Sequence, residues 1–573
     1  MARALCQLAP ALAAVLIAGT PARSSAADFE PLLLGDDERI LVLAPHPSDE
    51  TLAAGGLIQE ATALEIPVRV CFFTMGDNNE IAALFTRRHP VLRPGTARST
   101  GLRRQNEALA AATQLGLSTN DVVFLGYPDS GSLEIWNHHW RAVPPYRSPL
   151  TRANVVPYDA ALTPGSAYAG EDILDDLEEV LRDFRPTHVL LPHPADHNVD
   201  HRALYLFARV ALWNLAADGL EPRRLAYPAH YTQWPVPRSY DPARPAVPPP
   251  FLEAGADWME YVLAPYQVSN KLAVLRRHHS QFLNASAYLQ PFVRKSEVFA
   301  DLPDLAFPGG AGSADVEEND ATLFRPDREL LRNLAQEDDS WNDIAGQNDA
   351  ETAALGELVN DFIHRTLAGD GTALTLAFRF AKPVSPETTL SVRLFGYRAD
   401  VPFGEMPKVE IEVGPRENLV VRDLNGKKPA ESIALVPGAE EERILRVPYA
   451  LLGQPDKILA GAKLVKGTLP IDAVAWCAID LAGAPLPDLP AAPAVPPSPL
   501  APSPLVSPSS LAPPPSSPPP SPLAPAAPPR LSSPAPASLA SPAPAPPPTL
   551  APRVNLPRRA IPEKTEANEP VLW

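Results

Sequence analysis

Residues 40–51 of the chain read ILVLAPHPSDET, and this stretch decides the fold. The first five residues form a continuous apolar run of the length of a buried strand, and a loop rich in Pro, His and acidic residues follows. A pattern with helical spacing begins behind the loop and continues to residue 64. Strand, polar loop and helix in this order are typical of a βαβ unit, in which functional side chains follow the strand.

The same alternation continues along the chain. Further apolar runs lie at 68–74, 122–126 and 187–192, and helical patterns lie at 51–64, 99–115, 173–184 and 202–213. Continuous apolar strands between amphipathic helices predict an α/β fold with a parallel sheet covered on both faces. We expect a Rossmann-like domain over 28–308, with a polar, Pro-rich excursion at 235–250 and a helix around 271–287.

The sequence changes character behind a glycine-rich junction at 309–312. We interpret 309–368 as an acidic linker region with a helical segment at 351–368. Four runs with the two-residue alternation of half-buried strands follow, at 373–380, 390–395, 409–413 and 444–447. Short strands separated by turns predict an all-β, sandwich-like accessory domain over 369–483.

Proline sets the last segment apart, because residues 485–573 hold 31 of the 72 prolines in the 573-residue chain. So much proline with so few aromatic residues cannot bury enough apolar surface to offset the entropy cost of ordering. We therefore predict a disordered Pro-rich tail over 484–573. As an extended spacer, it would associate the protein with a layer of the cell envelope.

The first 27 residues have the pattern of a secretory signal peptide. Arg3 precedes an apolar run at 8–18 that is too short to span a bilayer, and small residues at 25–27 offer a cleavage site. A disordered Ala-rich leader is the alternative. Cleavage would leave Cys71 and Cys477, which are too few for a disulfide framework. We expect an exported protein, periplasmic or extracellular, with no transmembrane segment.

Net charge limits the class of partner. The chain has 67 acidic and 49 basic residues, which give a formal charge of −18. Because nucleic-acid binding needs clustered Lys and Arg to neutralise phosphates, we expect no nucleic-acid partner.

Two clusters of His and Asp follow predicted strands. The first contains His46 and Asp49, and the second, at 192–201, ends in Asp200 and His201. The carboxyl ends of parallel strands meet at one edge of a sheet, so both clusters should face the same crevice. Two imidazoles and a carboxylate suit catalytic zinc, which keeps a fourth position for water. Singly, each Asp would be read as a helix N-cap and each His as a loop residue, but the combination favours a metal site.

Together these motifs resemble the PIG-L/LmbE-like deacetylases, zinc hydrolases that remove the acetyl group from N-acetylglucosamine-type sugars. The family's first motif is similar to AHPDDE with a Gly-rich helix start, and here it reads PHPSDETLAAGG. The second ends in Asp-His, here DHNVDHRAL. Three further matches are RRQNEALAAATQLG at 103–116, the Leu-Gly-x-x-Asp-Ser-Gly pattern at 125–131 and HSQ at 279–281. The resemblance covers roughly 39–299.

The resemblance implies roles for single residues. The implied zinc ligands are His46, Asp49 and His201. Arg104 and Asp129 match positions that face the sugar, although Arg104 could equally form a surface ion pair with Glu107, and Asp129 could shape a turn. We expect Asp200 to orient His201 from behind.

Two positions depart from the family's pattern. Ser48 stands where the family has the Asp that acts as general base, and a serine cannot act as a base near neutral pH. Asn198 stands where the family often has a His that stabilises the oxyanion, and Asn can still donate that hydrogen bond. The nearest carboxylates that could replace the base are Asp196, Glu50 and Asp200, although Glu50 could instead cap its helix.

Three functional interpretations follow. The first is a secreted zinc-dependent amidohydrolase acting on an N-acetylated amino-sugar conjugate. The second is a catalytically impaired metal- or carbohydrate-binding protein of the same fold, which Ser48 favours. The third gives the binding function to the β-rich region.

Three aromatic or imidazole side chains allow separate expectations. Trp136 and Trp140 could line a sugar cleft or anchor a loop by burial. His193 is expected to be a hydrogen-bonded core residue rather than a ligand.

Overall fold

The computed structural model describes residues 29–78, 94–231, 234–249, 252, 256–317, 362–384, 387–414, 417–426, 433–466 and 469–482. All of them lie in the first of the two units into which the chain divides, Met1–Pro493. The predicted signal peptide, the predicted tail and the second unit, Ala494–Trp573, lie outside the described residues.

An eight-stranded sheet organises the first part of the chain. Its strands are β1 (Glu30–Pro31), β2 (Ile40–Ala44), β3 (Val68–Thr74), β4 (Val122–Tyr127), β5 (His188–Pro192), β6 (Arg223–Tyr227), β7 (Asp257–Val262) and β8 (Ser296–Asp301). They lie in the order β1-β7-β8-β6-β5-β2-β3-β4, and β2 to β6 pair in parallel. The strand order reverses between β2 and β5, which places a crevice beyond the carboxyl ends of these strands.

Helices connect these strands. The helices of the described residues are α1 (Asp49–Ala63), α2 (Pro94–Gln114), α3 (Ser132–His138), α4 (Gly170–Phe184), α5 (Val199–Leu215), α6 (Pro265–Leu275) and α7 (His279–Leu289). All five residues of β2 are buried, as expected for a parallel strand covered on both faces. The predicted α/β fold with a parallel sheet is confirmed. Within the described parts of the chain, no helix combines the length and apolar character needed to cross a bilayer.

Two details of this part differ from the prediction. The sheet is mixed, because β8 pairs antiparallel with both β6 and β7. The single helix predicted around 271–287 is wrong, because α6 ends at Leu275 and α7 begins at His279.

Helix α1 contains a capped break. Ala54 leaves helical geometry with φ −137° and ψ 20°. The amide groups of Gly56 and Leu57 donate to the two carboxylate oxygens of Glu297 on β8, at 2.7 and 3.0 Å. Lys271 of α6 lies 2.7 Å from the same carboxylate, and both side chains are almost completely buried. The break therefore rests on a buried ion pair that ties α1, α6 and β8 together.

Two further sheets follow. Their strands are β9 (Leu305–Ala306), β10 (Ala311–Glu317), β11 (Phe362–Asp370), β12 (Ala373–Phe380), β13 (Thr388–Tyr397), β14 (Lys408–Val413), β15 (Leu419–Asp423), β16 (Ala434–Val436), β17 (Glu442–Pro448), β18 (Lys457–Lys466) and β19 (Leu469–Asp480). The five-stranded sheet has the order β10-β11-β12-β17-β16, and the six-stranded sheet has the order β15-β14-β13-β18-β19-β9. Side chains of both sheets, such as Phe378 and Val392, share one hydrophobic cluster. The four predicted strands correspond to β12, β13, β14 and β17.

The predicted linker region is wrong at both of its described ends. The Gly-Ser-containing end of the supposed linker forms β10, which pairs antiparallel with β11. The supposed helix is a strand from Phe362 onward, and residues 318–361 lie outside the described residues. Because β10 and β11 are stabilised by each other and by β12, their conformation depends on distant pairing rather than on local propensity.

The α/β part and the later sheets share an aromatic core. Trp136 of α3 stacks on Phe395 of β13, with ring centroids 5.6 Å apart. Trp140 meets Phe403 edge to face at 4.8 Å, and the buried ammonium group of Lys408 lies 3.7 Å from the centre of the Phe403 ring. Both indoles are buried, as the anchoring interpretation expects, but Trp136 belongs to helix α3 rather than to a loop.

Candidate active site

Four side chains converge beyond the carboxyl ends of β2, β5 and β6. They are His46, Asp49, His201 and His230, and their candidate ligand atoms all lie within 4.8 Å of one another. The first three are the ligands expected from the sequence. The fourth was not expected.

Asp49 lies at the centre of this cluster. Its Oδ2 is 3.2 Å from Nδ1 of His46 and 3.0 Å from Nε2 of His201, while its Oδ1 is 3.8 Å from Nε2 of His230. Ser48, not Asp49, is the N-cap of α1. The alternative that Asp49 is only a helix cap is therefore wrong.

A buried carboxylate stands behind each of the two predicted histidine ligands. Oδ2 of Asp200 is 3.1 Å from Nε2 of His46, and Oδ2 of Asp196 is 3.2 Å from Nδ1 of His201. The expectation that Asp200 orients His201 is wrong, because consecutive residues of a helix point about 100° apart and Asp200 turns towards the loop after β2. Such carboxylates fix the ring orientation and tautomer of a metal-binding imidazole.

The DSG loop after β4 holds Asp200 in place. The amide groups of Ser130 and Ser132 lie 2.6 and 3.3 Å from its carboxylate oxygens, and the Ser132 hydroxyl also donates to it. Asp200 is not the N-cap of α5, since Oδ1 of Asn198 accepts from the amide groups of Asp200 and His201. This use of Oδ1 leaves Nδ2 of Asn198 for the predicted contact to an oxyanion.

The proposed replacement bases do not face the crevice. Asp196 is fully buried and accepts from the amide groups of Asn198 and His230 at 2.9 and 3.0 Å. Glu50 is also buried, and it accepts from the Ser48 amide at 2.9 Å and contacts Nε2 of His278 at 2.8 Å. Asp200 is equally enclosed and accepts from Ser130 and Ser132. All three carboxylates thus have hydrogen-bond partners within the protein, and for Glu50 the bond to Ser48 favours the helix-capping interpretation.

Ser48 occupies a left-handed backbone conformation, with φ 109° and ψ −26°. Among non-glycine residues, Asn and Asp tolerate this region best. The side chain is buried and makes no capping hydrogen bond. The loop therefore has the backbone shape that suits an Asp, although Ser48 stands there.

Arg104 bridges the loops that follow β2 and β3. Its guanidinium group donates to the carbonyl oxygens of Gly76 and Pro47, both at 2.9 Å. The alternative of a surface ion pair with Glu107 is wrong, because Arg104 is buried and Glu107 instead accepts from Ser280 at 2.7 and 3.0 Å. Arg104 thus supports the loop that carries the candidate ligands.

Asp129 is the carboxylate that reaches the edge of the cluster. Its Oδ1 lies 3.6 Å from Nε2 of His46, and its Oδ2 accepts from the Asn78 amide at 3.1 Å. Burial tends to raise the pKa of Asp129, but the positive charges of His46 and Arg104 outweigh burial and hold the pKa at about 2. Asp129 therefore links the loops that follow β3 and β4 and presents a charged oxygen beside the cluster.

The electrostatics of the cluster suit a cation. Burial alone would lower the pKa of His201, yet the carboxylates of Asp196 and Asp49 raise it to about 9. Burial opposes ionisation of Asp49 and Asp196, but the neighbouring imidazoles lower both carboxyl pKa values, that of Asp196 to about 2. Charged carboxylates around imidazole nitrogens form a donor set that fits zinc.

A comparison with known families identifies this part of the chain. Residues 41–212 match the family model described as PIG-L, GlcNAc-PI de-N-acetylase. These residues form a PIG-L domain. The match includes the predicted ligands His46, Asp49 and His201, and it ends before His230.

No curated protein matches the chain. Solved structures resemble its first half at low identity. A conserved protein from Thermus thermophilus is 21% identical, with a TM-score of 0.28, over 47% of this chain and 96% of that one. The N,N'-diacetylchitobiose deacetylase of Pyrococcus horikoshii is 20% identical, with a TM-score of 0.27, over 46% of this chain and 82% of that one. The 4-carboxy-2-hydroxymuconate hydratase of Pseudomonas putida is 19% identical, with a TM-score of 0.27, over 47% of this chain and 98% of that one.

His193 lies beside the PIG-L crevice without joining the cluster. Its Nδ1 is 2.9 Å from the Tyr231 hydroxyl, and its ring stacks on Trp258 at 6.0 Å. Burial lowers the pKa of His193 to about 3, which keeps the imidazole neutral. The expectation of a hydrogen-bonded core histidine is correct.

Sequence reasoning missed two histidines of this region. His230 follows β6, whose sequence RRLAY is too short and too basic at its start to be recognised as a buried strand. His278 immediately precedes the HSQ motif and contacts Glu50. The available feature was the position of His230 three residues after the end of β6, because the predicted ligands also follow parallel strands.

Proposed function

We propose that this chain is a zinc-dependent hydrolase that removes the N-acetyl group from an N-acetylglucosamine-type sugar conjugate. The observation that carries the proposal is the convergence of His46, Asp49 and His201 at the switch point of the sheet, each imidazole with a carboxylate behind it. The match to a de-N-acetylase family over the same residues supports the reaction class.

In this proposal the chain's own residues hold and orient the reacting groups. When bound, zinc would polarise the acetyl carbonyl and lower the pKa of a water molecule. Asp200 and Asp196 keep the two imidazole ligands in their binding orientation. Nδ2 of Asn198 donates a hydrogen bond to the developing oxyanion. The Asp129 carboxylate accepts a hydrogen bond from a hydroxyl group of the sugar.

Ser48 favours a second candidate function. General-base catalysis contributes about 10²- to 10⁴-fold, and the three carboxylates expected to replace the base are enclosed. A protein that binds metal and an N-acetylated sugar without efficient turnover would have this arrangement.

The full-length protein tests these two functions directly. We would measure bound zinc together with acetate release from a panel of N-acetylglucosamine conjugates, using His46→Ala as the matched variant that loses a ligand. Zinc with acetate release that His46→Ala abolishes supports the hydrolase. Zinc and sugar binding without acetate release supports the binding protein. A folded protein that takes up no zinc contradicts both.

We further propose that the protein is exported, with the tail at 484–573 as an extended spacer, and that the two later sheets form a sandwich-like accessory domain. The shared hydrophobic cluster of these sheets supports the last point. Cell fractionation of the full chain and of a variant lacking 485–573 tests the first two. A cytoplasmic full chain contradicts export, and unchanged envelope association of the shortened chain contradicts the spacer.

A further inference from the structure

We propose that His230 is a fourth protein ligand of the metal site. The inference rests on the proposed function only in that it requires the cluster to bind a metal. It departs from the three-ligand site expected from the sequence, since it fills the position that a catalytic zinc site keeps for water.

The distances within the cluster suit four ligands. In a tetrahedral site with bonds of about 2.1 Å, ligand atoms lie about 3.4 Å apart. Oδ2 of Asp49 lies 3.2 Å from Nδ1 of His46 and 3.0 Å from Nε2 of His201, and its other oxygen, Oδ1, lies 3.8 Å from Nε2 of His230. The first two distances are somewhat shorter and the third somewhat longer than the expected value, so His230 lies beside the carboxylate at close to ligand distance.

Tyr288 supports the tautomer of His230 that a metal ligand requires. Its hydroxyl lies 3.3 Å from the carbonyl oxygen of Ala229, to which it donates, and 2.9 Å from Nδ1 of His230. When its one proton points to Ala229, the hydroxyl oxygen can accept the proton of Nδ1. In that tautomer Nε2 carries the lone pair, as a metal ligand must.

The lone pair of His230 points into the cluster without a donor to satisfy it. Nε2 is buried and has no hydrogen-bond partner among the residues that the structure describes. A buried polar atom of this kind is costly unless something binds it. The nearer oxygen of Asp49 lies 3.8 Å away, beyond hydrogen-bonding distance.

The backbone and ring of His230 are held as firmly as those of the other two imidazoles. The amide donates to Asp196, the same carboxylate that stands behind His201, at 3.0 Å. The carbonyl accepts from the His197 amide at 3.1 Å, and the ring stacks on Tyr288 with centroids 5.3 Å apart and planes 8° from parallel. Each of the three imidazoles thus has its outward nitrogen engaged and its inward nitrogen facing Asp49.

Filling the fourth position would restrict access of water to the metal. Sites with four protein ligands are typical of structural zinc, whereas catalytic sites keep one position open. With Ser48 at the position of the base, a fourth ligand at His230 favours the second candidate function, metal binding without efficient turnover, over the hydrolase.

The test is a Co²⁺ titration of the metal-free, full-length protein, followed by visible absorption and calorimetry. The parent chain should give the intense bands of a four-coordinate ion. His230→Ala should weaken affinity by about tenfold or more, since even the loss of a group behind a ligand costs about 10- to 100-fold. Its bands should lose intensity as solvent enters, and free imidazole should restore the parent spectrum to His230→Gly.

The matched control is His279→Ala, which removes an exposed histidine outside the cluster and should change neither affinity nor spectrum. His230→Gln serves if the alanine variant does not fold. Unchanged affinity and spectrum in folded His230 variants overturn the fourth ligand and leave the three-ligand metal site intact. A parent chain that binds neither Co²⁺ nor Zn²⁺ overturns the proposed function as well.

Discussion

Ser48 combines a backbone suited to an acidic residue with a side chain that cannot remove a proton. Because Asp tolerates the left-handed region better than Ser, Ser48→Asp should fold at least as well as the parent. We expect the rate of acetate release to rise by about 10²- to 10⁴-fold, the usual contribution of a general base. Ser48→Asn is the matched control, with the same backbone preference and no base. An equal gain in the Asn variant would show that strain rather than chemistry limits the parent.

Asp196 supports two histidines at once, through the His201 ring and the His230 amide. Asp196→Asn should lower zinc affinity by about 10- to 100-fold, as is typical for loss of a carboxylate behind a metal-binding imidazole. Titration calorimetry measures the change. Asp183→Asn, on an exposed carboxylate paired with Arg69, should leave the affinity unchanged. A zinc affinity of Asp196→Asn equal to that of the parent would contradict this supporting role.

At the scale of the elements, Glu297 holds the break in α1 and neutralises Lys271. Glu297→Gln leaves a buried ammonium group without its partner, which costs about 3 to 5 kcal/mol in the free energy of unfolding. Denaturant unfolding measures the loss. The double variant with Lys271→Met removes both charges and should recover part of the stability. If the double variant is less stable than the single one, capping of α1 outweighs the ion pair.

Asp77 lies three residues after the end of β3 and makes the stability depend on pH. Burial and the charge of Asp129 raise its pKa to about 7, while its carboxylate accepts from the Tyr158 hydroxyl. Between pH 4 and 7 the folded protein binds this proton more tightly than the unfolded chain. Its contribution to stability therefore falls as pH rises through that window, by at most about 1.4 kcal/mol per unit.

Asp77→Asn should remove this part of the pH dependence. Denaturant unfolding at pH 4, 6 and 8 compares the variant with the parent. The variant should gain stability relative to the parent as pH rises. The control variant is Asp159→Asn, which changes an exposed carboxylate. Its free energy of unfolding should depend on pH in the same way as that of the parent. If the free energy of unfolding of Asp77→Asn differs from that of the parent by the same amount at all three pH values, the raised pKa of Asp77 is contradicted.

The sequence predicted those elements whose pattern is local. Strands β2 to β5 are continuous apolar runs, and the polar residues that follow β2 and β5 became the expected cluster of His46, Asp49 and His201. Strand β6 begins with two arginines, so no apolar run indicated that His230 would lie at the same edge. Strands β10 and β11 depend on each other and on β12, which no local pattern reveals. The pairing of Asp200 with His46 likewise follows from the helix direction and the DSG loop, not from spacing.

At the scale of the whole molecule, the α/β part and the later sheets are expected to unfold together. Phe403 packs against both Trp136 and Trp140, and it faces the buried ammonium group of Lys408. Phe403→Ala should lower the free energy of unfolding by about 3 to 5 kcal/mol and lower the midpoint of a single calorimetric transition. Phe282→Ala, a half-buried side chain on α7, should cost less. Two separate transitions in the parent would show that the aromatic core does not couple the parts.

Helix α3 links the candidate site to the β-rich part of the chain. Its first residue, Ser132, bonds to Asp200 behind His46, and one turn later Trp136 is covered by aromatic rings of the β-rich part. A gene rearrangement that exchanged the β-rich part would uncover this indole and loosen the support of a candidate ligand. Loss of the β-rich part would therefore be felt at the candidate metal site, although none of its residues belongs to the cluster.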